Sequence, residues 1–168
     1  GEVLFSSLYS GNPLINAMCV GIAPAGRLVS ATASGEGNLL MMVGADTGRD
    51  GLHGASGLAS RTFEEDRELR SAVQVGNPFL EKLLIEACNE LSMTDWIVGM
   101  QDLGAAGLTS SAVESAHRGR SGIEIDVLRV PRREEGMTPY EVMLSESQER
   151  MLVVVKQDCE EKVRKLFQ

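Results

Sequence analysis

The 168 residues suffice for one domain of ordinary size, and a composition of 43% hydrophobic and 24% charged residues excludes an intrinsically disordered chain. No apolar run approaches the roughly eighteen residues that a membrane-spanning helix requires, so we expect no membrane partner. Lys and Arg number 16 against 24 Asp and Glu, and the resulting formal charge of −8 opposes nucleic acid, for which we expect no binding site.

The cysteines and the start of the chain indicate the cellular compartment. Cys19, Cys88 and Cys159 form no closely spaced pair, which argues against a zinc site or a disulfide framework and favours buried, unreactive thiols in a reducing compartment. The first residue is Gly rather than Met, no secretory leader is recognisable, and a helical pattern runs to Gln168. We therefore expect a cytoplasmic piece of a longer polypeptide.

The first part of the chain is predicted to contain two strands and a glycine-rich loop. Residues 1–37 are rich in Gly, Ser, Ala and Asn, and we interpret them as an entry segment with one strand over Ile15–Ile22. The apolar run Asn38–Gly44 predicts a buried strand, and the glycines of Gly44–Gly57 predict a loop after it. The acidic stretch Glu64–Arg70 predicts a solvated linker or a surface helix.

Helices and strands alternate in the remainder of the chain. Apolar residues recur at helical spacing from Leu80 to Leu91, which predicts an amphipathic helix with Pro78 in its first turn. Further predicted elements are a strand over Trp96–Gln101, a helix over Leu108–Arg118 with a Ser111/Glu114 capping box, a strand over Gly122–Asp126, a helix over Thr138–Leu144, a strand over Met151–Val155 and a final helix marked by Cys159, Val163, Leu166 and Phe167. Because many connections are too short for parallel crossovers, the predicted class is α+β, with helices packed on a mixed, largely antiparallel sheet.

The glycine-rich stretch Gly44–Gly54 is the first of three candidate functional loops. Its glycines permit positive φ angles and let backbone N–H groups converge on an anion. Arg49 can bind a phosphate or carboxylate through two nitrogens, and His53 adds a donor that titrates near neutral pH. The alternative is a tight surface turn in which Asp46 and Asp50 bond their own backbone.

The second candidate loop, Gln101–Ser111, runs from a strand end through small residues into a helix. Gly104 and Gly107 let a phosphate approach the backbone, and the helix N-terminus that follows favours an anion. Asp102 could hold Mg²⁺, which usually takes one or two carboxylates together with phosphate and water oxygens. The alternative is a structural Asp at a turn, with Ser110 or Ser111 capping the helix.

The third candidate loop, Ser145–Arg150, is a dense run of hydrogen-bonding side chains directly before a predicted buried strand. Such a run can bind the hydroxyl and amide groups of a sugar-linked ligand. The residue types alone favour the alternative, a solvated turn.

Four motifs in one order give the sequence a resemblance to a known family. The motifs are Gly44–Ala55, Val73–Phe79, Gln101–Ser111 and the pair Glu135–Glu141 with Leu144–Met151. Together they resemble the phosphoribosylformylglycinamidine synthases, a family within the superfamily of aminoimidazole ribonucleotide synthetase. The resemblance implies that residues 1–37 are the linker and the tail of a preceding amino-terminal half-module. It also implies that residues 38–168 are the α+β carboxyl-terminal half of the first module, truncated at its carboxyl end.

The resemblance implies an ATP-dependent C–N ligase of purine biosynthesis that uses Mg²⁺, formylglycinamide ribonucleotide and glutamine-derived ammonia. Its implied partners are the amino-terminal half-module, a second module, a glutaminase subunit and a small bridging subunit. ATP is bound mainly by the missing half, so the isolated chain is expected to be inactive. Alternatives are a domain of a related synthetase or kinase, and a non-catalytic domain that only packs against its mate.

The same resemblance implies roles for individual residues. It assigns substrate binding to Gln74, Glu146, Ser147 and Gln148, Mg²⁺ binding to Asp102, and a position facing the substrate phosphate to Arg49 and His53. We expect these side chains to converge on one concave face.

Overall fold

The computed structural model describes residues 1–10, 14–52 and 74–168. Three strands are present, β1 (Leu39–Gly44), β2 (Ile97–Asp102) and β3 (Arg150–Val155), and four helices, α1 (Pro78–Ser92), α2 (Gly107–Gly119), α3 (Pro139–Leu144) and α4 (Glu160–Leu166), among these described residues. None of the helices in these ranges is long and apolar enough to cross a membrane. His53 and the acidic stretch Glu64–Arg70 lie outside the described residues.

The three strands form one antiparallel sheet in the order β1-β3-β2, which confirms the α+β class. The sheet that the described residues form is entirely antiparallel, so the mixed character that we expected is not seen there. Gly44 pairs with Arg150, and Asp102 pairs with Met151. The carboxyl ends of β1 and β2 therefore meet the start of β3 at one end of the sheet, and all three candidate loops begin or end there.

Apolar side chains cover both faces of this sheet. One face carries a buried cluster from α1, β1, β3 and α4, and the other carries a buried cluster around α2. Val153 belongs to the first cluster and Leu152 to the second, as the two-residue period of a strand requires. Cys88 is buried in the first cluster, where burial raises the pKa of its thiol to about 11 and makes it unreactive. Cys19 is exposed, so the prediction of a buried thiol is wrong there.

Capping side chains mark the starts of α1 and α3, but the capping box predicted for α2 does not form. Asn77 caps α1 by accepting a hydrogen bond from the N–H of Leu80 at 3.2 Å. Helix α2 starts at Gly107 rather than later, and the hydroxyl of Ser111 donates to the carbonyl of Gly107 at 2.9 Å inside the helix. The predicted Ser111/Glu114 capping box is therefore wrong, because the small residues before Ser111 allow the helix to begin a turn earlier. A capping box does form at Thr138 and Glu141, at the start of α3.

Two predicted strands are absent. The apolar stretch Ile15–Ile22 forms no ladder, and its side chains are exposed; strand propensity needs a pairing partner, and the described residues provide none. The stretch Gly122–Asp126 also pairs with no strand in the part of the chain that the structure describes, although Ile123 and Ile125 pack against the cluster around α2. Alternation correctly predicted which side chains face the core, but it could not predict a hydrogen-bonded neighbour.

Candidate functional site

Glu146 joins the second candidate loop to the segment that precedes α1. Its side chain accepts a hydrogen bond from the N–H of Ala106 at 3.0 Å and another from the amide of Gln74 at 3.2 Å. Its own N–H donates to the carbonyl of Asp50 at 2.7 Å, which adds the first candidate loop. Only 3% of Glu146 is exposed. The structure thus brings Gln74 and the three loops together at one end of the sheet.

The glycines of the second loop have different surroundings. Gly107 is buried at a φ of +52°, and a Cβ there would lie 1.9 Å from the carbonyl oxygen of Ser145, so this position requires glycine for close packing. Gly104 is exposed, and a Cβ on it would lie 3.5 Å from the Asp102 carboxylate. The Ala106 N–H near the start of α2 is already bonded to Glu146. Open space for a phosphate therefore exists beside Gly104 rather than at Gly107.

The third candidate loop is buried, so its interpretation as a solvated turn is wrong. Ser147 is 1% exposed; its hydroxyl accepts from the N–H of Gly48 at 2.9 Å and donates to the Asp50 carboxylate. Gln148 is half-buried, and its amide donates to the carbonyl of Glu146 at 3.1 Å. Long-range bonds to the first loop bury the Ser147 hydroxyl, whereas the Gln148 amide bonds within its own loop.

Arg49 contacts acidic groups of its own chain. Its Nε donates to Glu141 at 2.8 Å, and its Nη1 donates to Glu134 at 3.2 Å. These bonds raise the pKa of Arg49. The bond from Arg49, followed by those from Thr138, lowers the pKa of Glu141 from 4.5 to about 2. The structure thus gives Arg49 a place between the first loop and α3, and its contact with a substrate phosphate remains a prediction.

The Arg49–Glu141 ion pair has a pH signature. Because the pKa of Glu141 is lower in the folded chain than in the unfolded chain, its stabilising contribution is complete above about pH 4.5 and is lost as the pH falls toward 2. We expect Glu141→Gln to lower the free energy of unfolding in urea at pH 7. At pH 3 the difference in unfolding free energy between the variant and the unmodified chain should be smaller. The matched control is Glu86→Gln, which breaks an exposed pair with Lys82 on α1. A deficit equally large at both pH values would contradict the prediction.

A cleft of about 350 Å³ opens next to these loops. Its apolar wall comes from α1, including Leu84 and Cys88, and from Met151. The second and third loops contribute Asp102, Gly104, Gln148 and Glu149 to its lining. The cleft therefore combines an apolar wall with polar groups from the second and third loops, which is the usual constitution of a small-ligand site.

Asp102 is the side chain best placed to hold a cation in this cleft. It is exposed at the end of β2, and no donor among the described residues is hydrogen-bonded to its carboxylate. No group of three carboxylate, His or Cys side chains that could hold a metal lies within the described parts of the chain. A free single carboxylate fits Mg²⁺, which would complete its coordination with ligand phosphate and water oxygens.

Sequence reasoning missed Arg150, the central residue of the buried polar network. Only 3% exposed, it donates from Nη1 to the Thr47 hydroxyl at 2.9 Å, from Nη2 to the Ser145 carbonyl at 2.6 Å and from Nε to the Ser147 carbonyl at 2.9 Å. Burial lowers the pKa of Arg150 to about 10. Asp50 was also missed as a buried partner of Ser147; its carboxylate pairs with Arg133. An arginine beside Glu and Gln gives no local signal of burial.

The chain is similar in sequence and in fold to known proteins. A family model described as AIR synthase related protein, C-terminal domain, matches residues 35–168. The chain is 60% identical over 167 residues to the phosphoribosylformylglycinamidine synthase subunit PurL of Caldanaerobacter subterraneus, covering 99% of this chain and 23% of that protein. The chain thus spans about a quarter of the length of the curated relatives it matches.

Solved structures from Thermotoga maritima are also similar. The PurL complexed with FGAR matches with a TM-score of 0.76 and 40% identity over 85% of this chain and 24% of that chain. The PurL complexed with ATP matches with a TM-score of 0.70 and 36% identity over 84% and 21%. The structure of PurLQS matches with a TM-score of 0.72 and 35% identity over 86% and 22%. Both fold and sequence are shared with part of these larger proteins.

Proposed function

The chain belongs to the AIR synthase related protein family, of which it contains the C-terminal domain, and we propose that it is part of a phosphoribosylformylglycinamidine synthase. That enzyme is an ATP-dependent ligase of purine biosynthesis that converts formylglycinamide ribonucleotide and glutamine-derived ammonia to the amidine. Sequence identity of 60% to a PurL subunit supports this proposal. The domain supplies substrate and Mg²⁺ contacts rather than the whole active site.

One observation carries the proposal: the three motif loops and Gln74 meet around Glu146, and the second and third of these loops line a cleft at the same end of the sheet. We propose that Gln74, Glu146 and Gln148 bind the substrate there, with Ser147 holding the loop against Asp50. Glu146 presents its carboxylate to the Gln74 amide and so fixes the direction of that side chain. Amide groups can both donate to and accept from the hydroxyl and amide groups of a glycinamide ribonucleotide.

Mg²⁺ at Asp102 would neutralise negative charge on phosphate oxygens while the nucleotide and substrate react. The contribution of this chain is a fixed carboxylate, because Asp102 is the last residue of β2 and pairs with Met151 in the sheet. Gly104 leaves space beside that carboxylate. Asp102 and Gly104 therefore suit a site for a metal-bound phosphate.

We propose that residues 1–37 are the tail of a preceding half-module and the linker to this domain. That half-module would bind most of the ATP, so the chain alone would be inactive. Other proposed partners are the second module, a glutaminase subunit and a small bridging subunit. The similarity to a structure of PurLQS supports a multi-subunit assembly. The buried Cys88 thiol accords with a proposed location in the cytoplasm.

Ligand stabilisation of the full-length enzyme tests this function. We expect formylglycinamide ribonucleotide at a hundred times its Kd to stabilise the enzyme by about 2.7 kcal/mol, seen as a raised Tm in calorimetry. Gln74→Ala should abolish most of that rise. The exposed Glu86→Ala on α1 should leave it intact.

Different outcomes support the alternatives. A rise in Tm with another acceptor, such as an aminoimidazole precursor, and none with formylglycinamide ribonucleotide would favour a related synthetase or kinase. A normal rise in Gln74→Ala would favour a domain that only packs against its mate.

A further inference from the structure

Glu149 has an unusual backbone conformation for its residue type. Its φ is +53°, in the left-handed region where glycine or asparagine is more comfortable than a longer side chain. The carbonyl of Glu149 accepts a hydrogen bond from the N–H of Ala45 at 2.9 Å. Gly44 allows that approach, since a Cβ there would lie 2.0 Å from the Glu149 oxygen. The backbone of Glu149 is therefore fixed to the end of β1.

The Glu149 carboxylate reaches a different part of the chain. Its Oε1 accepts a hydrogen bond from the N–H of Asn77 at 2.8 Å, directly before α1. A Cβ on Gly76 would lie 3.5 Å from the same oxygen. Glycine at position 149 would satisfy the backbone without strain, but it would lose this carboxylate. A glutamate in this left-handed conformation, with its carboxylate bonded to Asn77, indicates that the side chain has a positioning task.

The bonded segment includes Gln74. This side chain is exposed, and its one bond among the described residues is to Glu146 at 3.2 Å. Residues 74–77 are held at two points: Glu146 bonds to the Gln74 side-chain amide, and Glu149 bonds to the N–H of Asn77. Without the second point the stretch could move away while α1 stays in place through its buried side chains.

We propose that Glu149 is a positioning residue that holds the segment 74–77 so that Gln74 faces the substrate. The inference rests on the proposed function, because it needs a substrate at Gln74. Glu149 acts through Asn77 and Gln74, and no contact of its own with the substrate is required. An alternative task is to stabilise the N-terminus of α1 with a negative charge.

Substitutions of Glu149 in the full-length enzyme separate these two tasks. Glu149→Ala and Glu149→Gly are expected to raise the KM for formylglycinamide ribonucleotide about tenfold with little change in kcat. A misplaced Gln74 would weaken binding of the ground state and of the transition state equally. Glu149→Gln keeps an acceptor oxygen, so its KM should lie within about threefold of the KM of the unmodified enzyme. Glu149→Gly also removes the left-handed strain, so its Tm should equal or exceed that of Glu149→Ala.

A double-mutant cycle with Gln74→Ala completes the test. In the Gln74→Ala background, Glu149→Ala should add less than about twofold to the KM, because the two residues act in one chain of contacts. The positioning role is overturned if the effects of the two substitutions multiply fully, or if Glu149→Gly has a normal KM while Gln74→Ala does not. A normal KM in Gln74→Ala itself overturns the proposed substrate site and the positioning role with it. The control Glu86→Ala should change neither KM nor Tm.

Discussion

Asp102→Asn in the full-length enzyme is expected to lower kcat about a hundredfold and to raise the Mg²⁺ concentration needed for half-maximal activity. The exposed carboxylate at the end of β2 has no hydrogen-bonded partner among the described residues, so its charge is available to a cation. Asn keeps the shape and one oxygen but removes that charge. Steady-state rates measured over a Mg²⁺ series would separate weakened metal binding from loss of folding.

The control for Asp102→Asn is Glu90→Gln, which removes one negative charge from an exposed position on α1. Its kcat and Mg²⁺ dependence should match those of the unmodified enzyme. If Asp102→Asn also retained a normal kcat and a normal Mg²⁺ requirement, Asp102 would not be a metal ligand. The interpretation as a non-catalytic packing domain would then gain support.

The elements with strong periodicity were predictable from sequence. Helix α1 follows from apolar residues at helical spacing, and β1 and β3 follow from short apolar runs bounded by glycines or polar residues. Local pattern and family motifs together were sufficient for these features. The antiparallel register places Gly44 opposite Arg150 and Asp102 opposite Met151, so the three loops meet at one end of the sheet. That the site side chains share one concave face stays a prediction.

The buried polar network could not be predicted in the same way. Arg150 bonds to Thr47, which is 103 positions away in sequence, and Ser147 bonds to Gly48, which is 99 positions away. No local pattern marks a partner at such a distance, so polar residue types favoured a solvated turn. The strand expected over Gly122–Asp126 was wrong for a related reason, because ladder formation depends on a neighbour that alternation does not specify.

Arg150→Met is expected to destabilise the 168-residue chain by about 3–5 kcal/mol, the largest loss of stability among the substitutions considered. Methionine would fill part of the volume, but it would leave the carbonyls of Ser145 and Ser147 and the hydroxyl of Thr47 without their buried donor. The bond to Thr47 holds the Gly-rich loop to the start of β3, and the other two bonds hold Ser145 and Ser147 of the third candidate loop. Chemical denaturation monitored by circular dichroism measures the loss.

Arg150→Lys provides the matched comparison, because it keeps the charge but cannot donate in three directions from a planar group. We expect it to recover only part of the lost stability, since one ammonium group cannot reproduce the separate bonds of Nε, Nη1 and Nη2. A methionine variant as stable as the unmodified chain would mean that apolar packing can replace the network. Stability would then not explain why arginine is the first residue of β3. Full stability in the lysine variant would instead show that charge, rather than the directed bonds, holds the loops together.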